Sequence, residues 1–133
     1  GLLSASLNPG ATVSSLVNIL VPRIADCCTV YLVEGDRLKP ERIACSDEET
    51  QAKVERLHAR FPLERSAEYG SPKAVRTGKA ELMGELTEEY VNRSGPAAAQ
   101  ATRELGWRSA IFVPLRSGGE ITGALSLLRK GSR

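Results

Sequence analysis

The reading of the fold turns on Ser109-Ala110-Ile111-Phe112-Val113-Pro114-Leu115, the turn Arg116-Ser117-Gly118-Gly119-Glu120, and Ile121-Thr122-Gly123-Ala124-Leu125-Ser126-Leu127-Leu128. Two apolar runs of strand length around a glycine-rich turn predict a β-hairpin. They are the two most apolar runs in the chain, so the hairpin is expected near the middle of a sheet. Because strand side chains alternate, one face carries Ile111, Val113, Leu125 and Leu127, all bulky and suited to packing under a helix. The other carries Ala110, Phe112, Thr122, Ala124 and Ser126, where small and hydroxylated groups beside one aromatic leave room for a cavity.

Working outward, Cys28 to Val33 is β-branched and aromatic, Glu34-Gly35-Asp36 offers a turn, and Leu38 to Cys45 resumes a weaker strand broken by Pro40. This predicts a second hairpin whose second strand lies at a sheet edge. Its first strand separates Val30 and Leu32 from Thr29, Tyr31 and Val33, and Tyr31 gives the second face a polar handle. Upstream, Val13, Leu16, Val17, Leu20 and Ile24 mark an amphipathic helix bent near Pro22, with Asn8 and Pro9 at its start. Ser46 and Glu49 form a capping-box pattern ahead of a charged helix over residues 47 to 61, with Val54, Leu57, His58 and Phe61 on one stripe.

Residues 62 to 71 read as a loop. Ser71 is expected to cap a short helix with Pro72 at its first position and Gly78 at its end. Ala80 to Met83 fits a strand. A helix opening at Thr87 is broken by Gly95-Pro96, resumes through Ala97, Ala101 and Leu105 and stops at Gly106, and such a break often borders a cavity. The order predicts an α+β fold, an antiparallel sheet of five to six strands with helices on both faces. Met83, Tyr90 and Trp107 are expected to roof the cavity.

A chain of 133 residues predicts one domain, residues 1–133, large enough to fold without disulfides or metals. Lys plus Arg is 18 against 16 Asp plus Glu, with the two signs intermixed, so no nucleic-acid footprint is present. No apolar run approaches the roughly 20 residues of a membrane span. Three cysteines, Cys27, Cys28 and Cys45, make no paired framework and favour a reducing, cytoplasmic setting. Gly1 and the abrupt ending at residues 130–133 suggest a piece of a longer protein.

The segments Leu20-Val21-Pro22-Arg23-Ile24-Ala25-Asp26, Val75-Arg76-Thr77-Gly78-Lys79 and Gly106-Trp107-Arg108-Ser109 through Gly123-Ala124-Leu125 resemble a GAF domain of a bacterial multidomain signalling protein. The resemblance covers almost the whole chain and is sharpest at the final hairpin, with its Val113-Pro114-Leu115 and Gly123-Ala124-Leu125. It implies a GAF/PAS-like regulatory module that binds a small molecule on one sheet face. Such a module often dimerises through terminal helices and controls a linked kinase, phosphatase, cyclase or transcriptional regulator, as in two-component systems. The candidate ligand-binding residues are Tyr31, Val33, Met83, Tyr90, Trp107, Ala110, Phe112, Ala124 and Ser126. A homodimer is expected through the helix carrying Val13, Leu16 and Leu20.

Other chemistries fit less well. His58 has the ligand type of a haem site, yet a single histidine on a charged helix is more often a packing residue. Cys27 and Cys28 point to opposite faces of a strand and could not share one zinc with Cys45 and His58. Bilin attachment and cyclic-nucleotide patterns are absent, as are a nucleophile elbow and a phosphate loop. Free methionine sulfoxide reductases of this fold place their cysteines in the second half, whereas all three here precede residue 46. No catalytic residue, metal or named cofactor is therefore expected. Lys79, Arg103, Arg108 and Arg116 could favour an anionic ligand at the cavity mouth or be ordinary solvated charges. A ligand-free dimerisation scaffold remains the alternative, to be separated by whether the second face encloses a cavity of roughly 300 Å³ or more.

Overall fold

The computed structural model describes residue 15, residues 17–21 and residues 23–131. The final hairpin forms as its alternation predicts, with β5 (Trp107–Ser117) against β6 (Glu120–Lys130). The free side of β6 takes β1 (Cys27–Glu34), β1 takes β2 (Arg37–Cys45), and β3 (Leu63–Glu64) and β4 (Glu81–Met83) complete the antiparallel order β3-β2-β1-β6-β5-β4. Among the described residues five helical segments surround it. They are α1 (helical at residue 15 and over residues 17–20), α2 (Glu48–Arg60), α3 (Ser71–Thr77), α4 (Glu88–Arg93) and α5 (Pro96–Leu105).

Both faces of the sheet are covered, as an α+β architecture requires. On one, Val17 of α1 packs with Ala25, Cys28, Val30, Leu125 and Leu127, joined by Leu20, Ile111 and Val113. On the other, Cys27, Val54, Leu105 and Trp107 form one cluster, and Tyr31, Leu38, Val75 and Ala124 form a second beneath α3. Cys27 and Cys28 therefore do lie on opposite sides of β1. Lys73 ties α3 to the edge strand through Glu81 at 2.8 Å. Lys130 fastens β6 to the start of α2, its Nζ donating to Thr50 Oγ1 at 2.6 Å.

Three local expectations are corrected. Residues 62 to 71 are not all loop, because Leu63 and Glu64 pair with Leu38 and Arg37 and cover the first two residues of β2. Past them β2 is an edge, which is where Pro40 can sit without removing a ladder bond; Val30 opposes Arg42 and Tyr31 opposes Pro40, leaving Glu41 as the extra residue of a bulge. The cap of α2 is Asp47, not Ser46: Asp47 Oδ1 accepts from the Thr50 amide at 2.7 Å and its Oδ2 from the Thr50 hydroxyl at 3.0 Å. Ser71 does not cap α3. Gly70 holds the N-cap position with φ 72° and no side chain satisfies the helix start there.

A further bulge decides the site. Trp107 pairs with Lys130 and Ser109 with Arg129, so Arg108 is the extra residue. Without it, strict alternation would put Trp107 on the face of Ile111; with it, the indole joins the cluster of Cys27 and Val54 on the opposite face.

Candidate functional site

Between the sheet and α2 to α5 lies a cavity of about 210 Å³. Its floor is Thr29 and Tyr31 of β1, Ser126 and Leu128 of β6, and Trp107 and Phe112 of β5. Val54, Leu57, His58 and Phe61 line it from one stripe of α2, at the i, i+3, i+4, i+7 spacing that puts them on a common helix face. Ser71 and Pro72 enter from the start of α3. Tyr90 and Ser94 stand before the Gly95-Pro96 break and Ala98, Ala101, Thr102 and Leu105 after it, so the interrupted helix does border the void.

The polar groups in this apolar wall are few and specific. Val54 O can only accept, so His58 Nδ1–H donates to it at 2.9 Å. That fixes the tautomer. His58 Nε2 carries the lone pair and accepts from the Tyr31 hydroxyl at 2.7 Å. Burial lowers the His58 pKa, against a smaller opposing effect of the Val54 carbonyl, and burial raises that of Tyr31, so the pair is neutral on both sides. Tyr90, stacked edge-to-face on Tyr69 at 5.2 Å, is pushed up to about 12 by burial and then by the nearby Glu81 carboxylate.

Two hydroxyls in the wall are unmatched. Ser71 is 3% exposed and Ser126 2% exposed, and neither Oγ has a hydrogen-bond partner. Ser126 stands beside the Tyr31 phenol, but the geometry between them falls short of a hydrogen bond. Leaving a buried hydroxyl unsatisfied costs about 1–3 kcal/mol, and both of these stand on the wall of one void.

Among the described residues no Asp, Glu, Lys or Arg contributes to the wall. Lys79, Arg103, Arg108 and Arg116 are all exposed and stand away from it; Arg103 donates to Asn92 Oδ1 at 2.6 Å and Arg116 to the Gly78 carbonyl at 3.1 Å. Both ring nitrogens of His58 are engaged, which leaves no lone pair to aim at a haem iron. Among the described residues no group of three or more His, Cys, Asp or Glu could hold a metal ion, and no helix is long and apolar enough to cross a membrane.

Of the nine candidate ligand-binding residues, the structure places Tyr31, Tyr90, Trp107, Phe112 and Ser126 on the cavity wall. Val33, Met83, Ala110 and Ala124 lie elsewhere. Val33 and Ala124 sit under α3 with Val75, because α3 covers that part of the sheet and fills it. Ala110 is buried opposite Leu128 and Met83, and Met83 belongs to the edge strand β4, so neither reaches the void. Thr29, His58 and Ser71 were not among the nine. Thr29 shares the strand face of Tyr31, and His58 shares the stripe of Val54; those were the signals available. Of the expected dimer helix, Leu20 packs toward the sheet beside Val17, while Val13 and Leu16 lie outside the described residues.

A family model described as the GAF domain matches residues 10–133. The chain belongs to the GAF domain family. This is a ligand-sensing regulatory fold, and the solved structures it is similar to include several such modules. A Staphylococcus aureus NreA protein mutated in its nitrate binding site superimposes with TM-score 0.66 at 14% identity, over 95% of this chain and 90% of that one. The GAF domain of a Bacillus halodurans two-component sensor histidine kinase gives TM-score 0.62 at 13% identity, over 96% and 80%. The type II free methionine-R-sulfoxide reductase of Thermoplasma acidophilum gives 0.61 at 16%, over 90% and 72%. At these identities the likeness is one of fold. No curated protein sequence matches the chain.

The half-buried histidine gives the GAF domain a pH dependence. Its pKa is lower folded than unfolded, so as pH falls below about 6.5 the unfolded chain takes up a proton that the folded one refuses. Stability is full above that pH and declines as pH drops toward the folded value. His58 is the chain's single histidine. Urea midpoints are therefore expected to fall from pH 7.5 to 5.5 in the parent protein and to flatten over that window in His58→Gln.

Proposed function

We propose that this GAF domain is a cytoplasmic sensor that takes a small, uncharged, largely apolar molecule into the cavity and regulates an output domain linked to it in a longer protein. The output is a kinase, phosphatase, cyclase or transcriptional regulator. The observation that carries the reading is the pair of orphaned hydroxyls, Ser71 and Ser126, facing one void. The cavity is smaller than the roughly 300–1,000 Å³ of drug-sized sites and corresponds to about seven waters, so the guest is compact. The wall argues against an anion such as the nitrate named for NreA, because a buried charge without a countercharge is strongly disfavoured. A guest with one or two hydrogen-bonding groups on an apolar body matches both the serines and the aromatic floor.

Sensing here requires no chemistry. Binding shifts a population, and it signals only if the guest prefers one of two arrangements of the helices that reach the output. Thiol chemistry on a bound substrate finds no support in the wall, which holds no cysteine. A homodimer through the helix of Val13, Leu16 and Leu20 belongs to the same reading. Since Leu20 faces inward, the exposed side offered to a second copy carries Ile19, 60% exposed.

Native mass spectrometry of protein purified from its own cells reads ligand and assembly together. The expected spectrum is a dimer with a retained neutral mass that denaturation releases. Bare protein, whose melting temperature no neutral compound raises in a broad screen, would leave only the scaffold.

A further inference from the structure

Cys27 and Cys45 face each other across β1 and β2 as direct register partners. The Ser46 amide donates to Asp26 O at 2.7 Å, just outside the pair, while the Cys45 amide donates to Gln51 Oε1 at 2.7 Å. That pattern makes them a non-hydrogen-bonded antiparallel pair, in which Cα atoms stand about 4.5 Å apart and the side chains lie closest. Disulfides span Cα separations of about 4.4 to 6.8 Å, so the strand register already holds these two residues within bridging range. Both side chains join one apolar cluster with Val54, Leu105 and Trp107. Cys28, opposite Ala44, packs on the other face with Val17 and Ala25.

We propose that Cys27 and Cys45 form a reversible dithiol–disulfide couple that low-molecular-weight disulfides close and thiols reopen, a modification site behind the cavity wall. Cys45 is half-buried and Cys27 has no exposure, so the reagent meets Cys45 first. The Cys45 thiolate attacks one sulfur of oxidised glutathione, displacing one glutathione and forming a mixed disulfide. The Cys27 sulfur then attacks Cys45 Sγ and displaces the second glutathione. Two protein thiols are oxidised, one glutathione disulfide is reduced to two thiols, and the two thiol protons end on the departing glutathiones.

The environment orders these steps. The neighbouring Cys45 thiol, then burial, hold the Cys27 pKa far above the ordinary thiol range. Capping Cys45 as a mixed disulfide removes that first contribution and leaves Cys27 freer to ionise and close the bond. Val54, Leu105 and Trp107, which pack on the pair, also line the cavity, so closure alters its wall. The inference does not depend on any ligand being bound.

The test equilibrates the purified chain in glutathione buffers from reduced to oxidised, quenches by alkylation and maps tryptic peptides. A disulfide joining residues 24–37 to residues 43–53, assigned to Cys27 by fragmentation, is expected, with a shift in the emission of Trp107, the sole tryptophan, that dithiothreitol reverses. Cys28→Ala should keep both signals and Cys45→Ala should lose both. Fragmentation of the parent protein decides the linkage even where a variant folds poorly. A Cys45–glutathione adduct that never resolves, a bond to Cys28, or a disulfide that leaves Trp107 emission unmoved would overturn the proposal.

Discussion

Gly123→Ala should lower stability by roughly 3 kcal/mol or more, a drop of about 10 °C or more in melting temperature for a domain of this size. Gly123 sits in β6 between β1 and β5, opposite Leu32 and Leu115. A Cβ built there would stand 2.0 Å from the Tyr31 carbonyl oxygen and 3.2 Å from its carbonyl carbon. Those are backbone atoms of the central strand, which cannot swing aside as a side chain would. Relief must come from parting β1 and β6, and with them the floor of the cavity. Gly84 is the matched control, since a Cβ there meets nothing within 4 Å and Gly84→Ala is expected to change stability by less than about 0.5 kcal/mol. Urea or thermal denaturation of the two variants against the parent decides it. Near-equal melting would mean that the strands do not approach as closely here as described.

The same glycine shows why the resemblance was readable. Gly123 belongs to the Gly123-Ala124-Leu125 stretch that carried it, and the clash supplies a physical reason for a glycine at that point. The hairpins were legible because period-two alternation runs through long strands, and most helix ends because Thr87, Pro72, Pro96, Gly78 and Gly106 are chemically distinctive stops and starts. Leu63–Glu64 was not, because two residues carry no period. Ser46 matches the capping-box spacing with Glu49, but the Thr50 amide and hydroxyl both bond to Asp47, one residue further on. In the site, alternation reached Tyr31, Phe112 and Ser126 but could not say that α3 would fill the sheet over Val33 and Ala124. It could not bring His58 to Tyr31 either, since that bond spans 27 residues of chain. Ser71 is the instructive miss. Read as a cap, it lies one position inside the helix, so its hydroxyl serves no backbone amide and lines the cavity instead.

Ser126→Val separates a receptor from a filled core by moving two properties in opposite directions. The substitution removes an orphaned buried hydroxyl, whose desolvation costs about 1–3 kcal/mol, and places methyl groups in empty space at about 0.8 kcal/mol each. Valine also suits a strand interior. The variant is expected to be more stable by about 1–2 kcal/mol, with a higher urea midpoint. Retention of the cavity's guest, followed by native mass spectrometry, should fall at least tenfold, because the variant loses a hydrogen-bonding group and some of the void together. Ser71→Ala supplies the other half of the comparison: it deletes a hydroxyl without adding bulk, so it should weaken retention less while also stabilising the fold. If Ser126 were instead packed tightly, the added methyl would force its neighbours apart and cost about 1–3 kcal/mol. A destabilised Ser126→Val, or one that keeps its guest at parental occupancy, would therefore end the assignment of this cavity as the sensing site, since no arrangement of a void lined by an unpaired hydroxyl predicts either outcome.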